Sequence, residues 1–367
     1  MKIRKLLLVL VAFALVAAAC GDDDAVTETQ PPPVTQPPTT EPPTTEPPVT
    51  VAPGREGWPD RIVFGFVPSQ DVEELQDDVD AFAAVLSQAL DIEVEGLVTT
   101  DYTGLGVAMG TGQADLGAFG PAGYVLASQT YPNLELLAQS VRFGSPTYHG
   151  QWFTNDPSIC AAAPAPGAFQ NAPAGPELLG PTETVALQVG YNPDDTRDEA
   201  VSEPFACNAT LDSVIGRKIA FTTETSTSGF IFPTLQLLNA GITADQYDSI
   251  FAGGHDAAVT AVYNGDADIG VSFDDARRTI RKESTDVGEK VIVFFITPEI
   301  ANDVIAVRAE LPDTLKTALF DAMTDFIKTE EGQVVMDQLY SWTDLSPPDE
   351  ASLANVADAV AQLGFTD

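Results

Sequence analysis

Strand, polar turn and helix succeed one another three times between Arg217 and Arg278, and this order commits the segment to α/β architecture. A β-branched and aromatic run, Lys218–Thr223, leads into Ser226-Thr227-Ser228-Gly229, and an apolar pattern at helical spacing (Phe232, Leu235, Leu238) follows at once. A second short apolar segment, Ser249–Phe251, precedes Gly253-Gly254-His255-Asp256 and another helical run. The turn Asn264-Gly265-Asp266 then enters a third strand. Ligands in such sheets collect at the carboxyl ends of the strands, where these turns lie.

Hydroxyls and small residues between a strand and a helix start leave backbone N–H groups converging on one spot. With the helix dipole behind them they bind anions. The competing reading of Ser226-Thr227-Ser228 is a helix cap, since Ser and Thr are preferred there in any case. His255 offers a ring donor at the second turn; otherwise it is a structural residue at a helix start.

The joint order Ser226-Thr227-Ser228-Gly229, His255-Asp256-Ala257-Ala258, Asn264-Gly265 and Ala267-Asp268 closely resembles the phosphonate-type substrate-binding proteins of bacterial ABC transporters. The first half agrees: Arg61–Pro68 looks like that family's opening strand. Thr100-Asp101-Tyr102, Gln113-Ala114-Asp115-Leu116-Gly117 and Phe119-Gly120-Pro121 look like its first-lobe ligand loops. The resemblance covers residues 60–155 and 210–345. It implies a two-lobed periplasmic-binding-protein fold of type II, each lobe a mixed β-sheet flanked by helices, with the ligand in a cleft that closes by hinge motion. Lobe one is expected at 58–150 and 298–367, with the late helices as its cover, and lobe two at 151–297.

The resemblance also implies roles. Ser226, Thr227 and the backbone of Ser228 and Gly229 would hold phosphoryl-type oxygens. His255 would donate to another oxygen, and Tyr102 and Tyr148 would donate phenol O–H groups from lobe one. Asp275 and Asp303 would face the far end of the ligand, where an acid can pair with an ammonium group. Asp274 stands in for Asp275 if the register shifts by one. Surface charge is the plain alternative for all three acids, as core packing is for the tyrosines. Phe119 and Trp152 are candidates for the cleft wall, though such aromatics are more often core.

Lys2, Arg4 and Lys5 precede an apolar run, Leu6 to Ala19, which is followed by Cys20-Gly21. The run is short for a membrane span and fits a signal peptide over residues 1–20. A Cys after small residues is the pattern of a bacterial lipobox, with Cys20 as the lipidated residue and the anchor to the membrane. Ala17 in place of the usual Leu leaves a plain secretory signal open. Residues 21–57, with repeated Thr-Glu-Pro-Pro units, read as a disordered, extended tether. Cys160 and Cys207 bracket a Pro-, Gly- and Ala-rich insertion; in an exported protein they are expected to form a disulfide.

The net charge is −37, from 54 acidic and 17 basic residues. That excludes nucleic acid as a partner, which needs clustered Lys and Arg. It also opposes anionic ligands at long range, so an anion site here must rely on local donors. Two His and three Cys, without ligand spacing, give no metal site. No nucleophile elbow surrounds Ser226, and no cofactor motif is present, so no enzyme activity is expected. The reading is therefore a monomeric solute-binding component for phosphonate, phosphite or phosphate, located outside the cytoplasm and working with a permease and an ATPase. The alternatives are a ligand-sensing surface lipoprotein of the same fold, and a different ligand such as a sulfonate or a vitamin precursor.

Overall fold

The computed structural model describes residues 54–169, 184–191 and 196–365. The expected signal peptide, Cys20 and the tether up to residue 53 lie outside the described residues. The chain starts in a first sheet with β1 (Arg61–Phe66), β2 (Glu93–Val98), β3 (Leu116–Phe119) and β4 (Leu134–Val141). It crosses at Arg142-Phe143-Gly144-Ser145 into β5 (Thr147–Thr154) of a second sheet. That sheet continues with β6 (Ala165–Pro166), β7 (Phe205–Ala206), β8 (Lys218–Phe221), β9 (Asp248–Phe251), β10 (Ile269–Phe273) and β11 (Ile292–Ala301). It returns at Asn302-Asp303 to β12 (Val304–Arg308) and β13 (Asp344–Ser346) of the first sheet. The strand orders are β13-β4-β12-β3-β1-β2 and β6-β7-β11-β5-β10-β8-β9. Both sheets are mixed: β1 is parallel to β2 and β3, and β8 to β9 and β10, whereas β12 and β5 pair antiparallel with their neighbours.

β1 shows how the sequence builds the first sheet. It is apolar at nearly every position because both of its faces are covered, as for a central parallel strand. Ile62, Phe64 and Phe66 point to one core, with α1 (Val72–Leu90), α7 (Asp313–Ile327) and α8 (Glu330–Tyr340) packed on it. Val63 and Val67 point to the other, under α2 (Tyr102–Gly110), α3 (Pro121–Thr130) and α9 (Ala354–Gln362). That period of two is the pleat of the strand. The second sheet likewise has a core on each face, around Phe153 and Val293 on one and around Trp152 and Phe294 on the other.

The crossings correct the lobe boundaries read from the sequence. β5 begins at Thr147 and pairs with β11 through Ala301, so residues 147–150 and 298–301 belong to the second sheet. The first crossing is a two-residue hairpin turn with positive φ at Phe143 (48°) and Gly144 (78°). Arg142 and Ser145 exchange both backbone hydrogen bonds across it, each 2.9 Å.

Cys160 and Cys207 are bonded, with their Cα atoms 5.6 Å apart. The segment they close is not idle: Phe169, Val185, Leu187, Val189 and Val201 are buried in the second lobe's core. Among the described residues no helix is long and apolar enough to cross a membrane.

Candidate ligand-binding site

Helix starts from both lobes meet in one cavity. α2 begins at Tyr102 behind the Asp101 cap, and α3 begins at Pro121 behind Gly120. From the second lobe come a wide helical turn at Thr227–Ile231, which runs directly into α4 (Phe232–Asn239), and α5 (His255–Asn264). Tyr102, Gly120, Ser226, Thr227, Ser228 and His255 all line the cavity, whose volume is about 50 Å³. Each helix start presents the positive end of a dipole and first-turn N–H groups that the helix itself does not fill. This is the local remedy for a chain whose net charge would otherwise repel anions.

The turn after β8 carries the densest set of donors. Ser226 caps the helix, its Oγ accepting from the Gly229 N–H at 3.2 Å. That hydroxyl is thus a helix cap through its lone pair and keeps its own proton for a ligand, beside Thr227 and Ser228 on the cavity wall. The N–H groups of Thr227 and Ser228 have no hydrogen-bond partner among the described residues. A Cβ at Gly229 would stand 2.0 Å from Thr222 Oγ1, so the turn can close only with glycine there. Thr227 Oγ1 accepts from the Ala122 N–H of α3 at 2.9 Å, which ties the two lobes together beside the cavity.

His255 is buried, and burial together with the nearby Arg142 charge pushes its pKa down to about 3. The ring is therefore neutral at physiological pH. Nδ1 is 2.7 Å from Ser272 Oγ, leaving Nε2 as the ring atom available to a ligand. The His255 N–H is itself held by the Ser69 carbonyl of the first lobe at 2.8 Å. Burial, then the Asp303 charge, raises the pKa of Tyr102 and of Tyr148 well above that of an ordinary phenol, so both remain O–H donors. The Ser228 side chain beside Tyr148 offsets part of that rise.

Asp303 lines the cavity in a charge network with Arg142, which pairs with its Oδ2; Trp342 Nε1 donates to the same oxygen at 3.1 Å. The Arg142 guanidinium lies 5.3 Å from the Tyr148 ring centroid and 5.5 Å from that of Phe273. Asp275, expected at the far end of the ligand, does not line the cavity. It is fully buried in a two-pronged pair with Arg277, with Nε–Oδ1 at 2.8 Å and Nη2–Oδ2 at 2.7 Å. Burial pushes its carboxyl up, and the Arg277 charge and hydrogen bonds outweigh this and hold it below the usual range. Arg277 in turn donates to the carbonyls of Phe205, Gly288 and Val291, so the pair braces the second lobe. Asp274 lies on an adjoining surface beside His149 and also off the cavity. Phe119 and Trp152 are core residues; Trp152 Nε1 donates to Gln236 at 2.7 Å.

Sequence reasoning passed over Arg142, Phe273 and Tyr340, all on the cavity wall. The available signal for Arg142 was a lone basic residue closing an apolar strand before Phe-Gly, in a chain with only 17 basic residues. Tyr340 closes a helix read only as lobe cover; its hydroxyl donates to the Val67 carbonyl at 2.6 Å.

The family of phosphonate ABC-transporter periplasmic substrate-binding proteins matches residues 64–353. A phosphate-import protein, PhnD of Mycolicibacterium smegmatis, is 25% identical over 229 residues, which cover 60% of this chain and 57% of that protein. PhnD1 of Prochlorococcus marinus, solved in complex with methylphosphonate, superposes with a TM-score of 0.64 at 19% identity, covering 83% of this chain and 99% of that one. A binding-protein component of a phosphonate ABC transporter from Pseudomonas aeruginosa gives 0.61 at 17% identity, covering 82% and 85%. These structures share the type II two-lobed fold described above. With its paired mixed sheets, the converging helix starts between them and a family match over most of its length, the chain belongs to the periplasmic substrate-binding proteins of phosphonate ABC transporters.

Proposed function

We propose that this protein captures a small phosphorus oxyanion, meaning a phosphonate, phosphite or phosphate, outside the cytoplasm and delivers it to a membrane permease driven by an ATPase. The observation that carries this reading is the convergence of helix starts, the Thr227 and Ser228 donors and a neutral His255 on one cavity of about 50 Å³. About 10–15 Å³ by this measure holds one water, so the space suits a ligand of a few heavy atoms. Tetrahedral oxyanions have that size and need donors on several sides. The role is binding without turnover: Ser226 starts a helical turn and is not set in a nucleophile elbow, and His255 Nδ1 pairs with Ser272 rather than with Ser226. The lipid on Cys20 would keep the monomer at the outer face of the membrane, with residues 21–53 as a spacer, since Arg55 already pairs with Asp91 of the folded body.

A thermal-shift screen of the mature protein tests the ligand class. Phosphite, phosphate and methylphosphonate are the expected hits, and a ligand at 100 times its dissociation constant adds about 2.7 kcal/mol of stability. A response to alkanesulfonates with none to the phosphorus compounds would overturn the reading. Recovery of the hit unchanged after long incubation is expected, and turnover would contradict the binding role.

A further inference from the structure

We propose that Arg142 and Asp303 form a charge-compensated end wall that admits oxyanions with an uncharged substituent, or none, and rejects those carrying an ammonium group. The inference rests on the phosphorus-oxyanion reading of the cavity and narrows its ligand class.

The two residues come from the two crossings between the sheets: Arg142 follows β4, and Asp303 lies between β11 and β12. The crossings are laced together beside the pair. The Ser140 N–H donates to the Asp303 carbonyl at 2.9 Å, and the Asn302 N–H to the Pro146 carbonyl at 2.9 Å. Asn302 Nδ2 donates to the Ser145 carbonyl at 2.8 Å. The pair thus sits on the hinge strands, which stay together when the lobes part, rather than on one moving lobe. It is in place before a ligand arrives.

An unpaired carboxylate in so small a cavity would recruit a cationic substituent. Here the carboxylate is already answered. Arg142 and Asp303 are each only 8% exposed, and Trp342 fills a further position on the same carboxylate oxygen. Displacing Arg142 would strand a buried guanidinium, which is strongly unfavourable. An ammonium group left beside it would meet a like charge. The other acid on the wall, Asp337, is pushed up by burial, and the charges of Arg278 and Arg281 offset that in part. Arg142 Nε is buried and has no hydrogen-bond partner among the described residues, so the wall holds a charged donor still to be met by an acceptor.

Ethylphosphonate and aminomethylphosphonate test this directly, because they differ only in a methyl group against an ammonium group. Calorimetric titration of the wild type should find ethylphosphonate tighter by roughly tenfold or more. Arg142→Met frees Asp303 and should move that ratio at least about tenfold towards the amino compound; adding Asp303→Asn should remove the shift. If Arg142→Met does not fold, Asp303→Asn alone decides, because it leaves Arg142 uncompensated and should disfavour the amino compound further. A wild type that binds the amino compound as well or better would overturn the proposal. So would a ratio that neither variant moves, or binding of methylphosphonate with neither larger compound, since size and not charge would then select. Failure of the wild type to bind any phosphorus oxyanion would instead remove the underlying reading.

Discussion

The Thr227 hydroxyl accepts a hydrogen bond from the Ala122 N–H at 2.9 Å, joining a residue that follows β8 in the second sheet to one that follows β3 in the first. An accepting hydroxyl still has its own proton to donate. Thr227 can therefore hold the first lobe with its lone pair and a ligand oxygen with its O–H. Closure and capture then depend on the same side chain.

Thr227→Val keeps the shape and removes both bonds. Affinity for the oxyanion should fall by about 1.5–3 kcal/mol, the range for a hydrogen bond to a charged group. Thr227→Ser should retain most of the affinity. Titration calorimetry on the three proteins reads this, and a valine variant that binds like wild type would show that the hydroxyl is no ligand group.

Asp275 predicts the opposite pattern. Breaking a buried pair leaves an uncompensated charge, at about 3–5 kcal/mol. Asp275→Asn should therefore lower the urea midpoint markedly while the folded fraction binds oxyanion as wild type does. A loss of affinity at unchanged stability would place Asp275 at the ligand instead.

Asp274 gives a pH dependence. Burial raises its pKa from 3.8 to about 6, and the charges of His149 and Arg278 only partly offset that. A raised folded-state pKa means that the native state binds the proton more tightly than the unfolded chain does. The resulting stability is fully present below about pH 3.8 and is lost as pH rises through 6. Asp274→Asn should thus match wild type near pH 4 and exceed it at pH 8. The gain should be about 1–3 kcal/mol, because the side chain retains some contact with solvent. Denaturation curves across that range would show it, and a pH-independent difference would refute it.

The Cys160–Cys207 bond closes a long loop, and the loop-entropy account gives it about 4 kcal/mol. Neither cysteine lines the cavity. Replacing both by Ala should lower the melting temperature and leave oxyanion affinity unchanged. An unchanged melting temperature would mean that the segment is held by the packing of Phe169 and Val189 alone.

The features legible in the sequence were those whose cause is local. The strand-turn-helix order, the Ser226–Gly229 turn and His255 at a helix start each depend on residues a few positions apart. The hydroxyl and glycine positions follow from what a helix start and a tight turn require. The tertiary structure alone decided which charges meet. Asp303 finds Arg142 across 161 residues because two crossing strands run side by side, and no periodicity records that. Adjacent carboxylates, Asp274 and Asp275, are sent to different surroundings, one beside His149 and one into the grip of Arg277. The lobe boundaries at Thr147 and Ala301 were likewise hidden, because strand pairing and not composition assigns those residues to the second sheet. Local chemistry placed the oxyanion donors, and long-range packing placed the charges at the other end of the cavity.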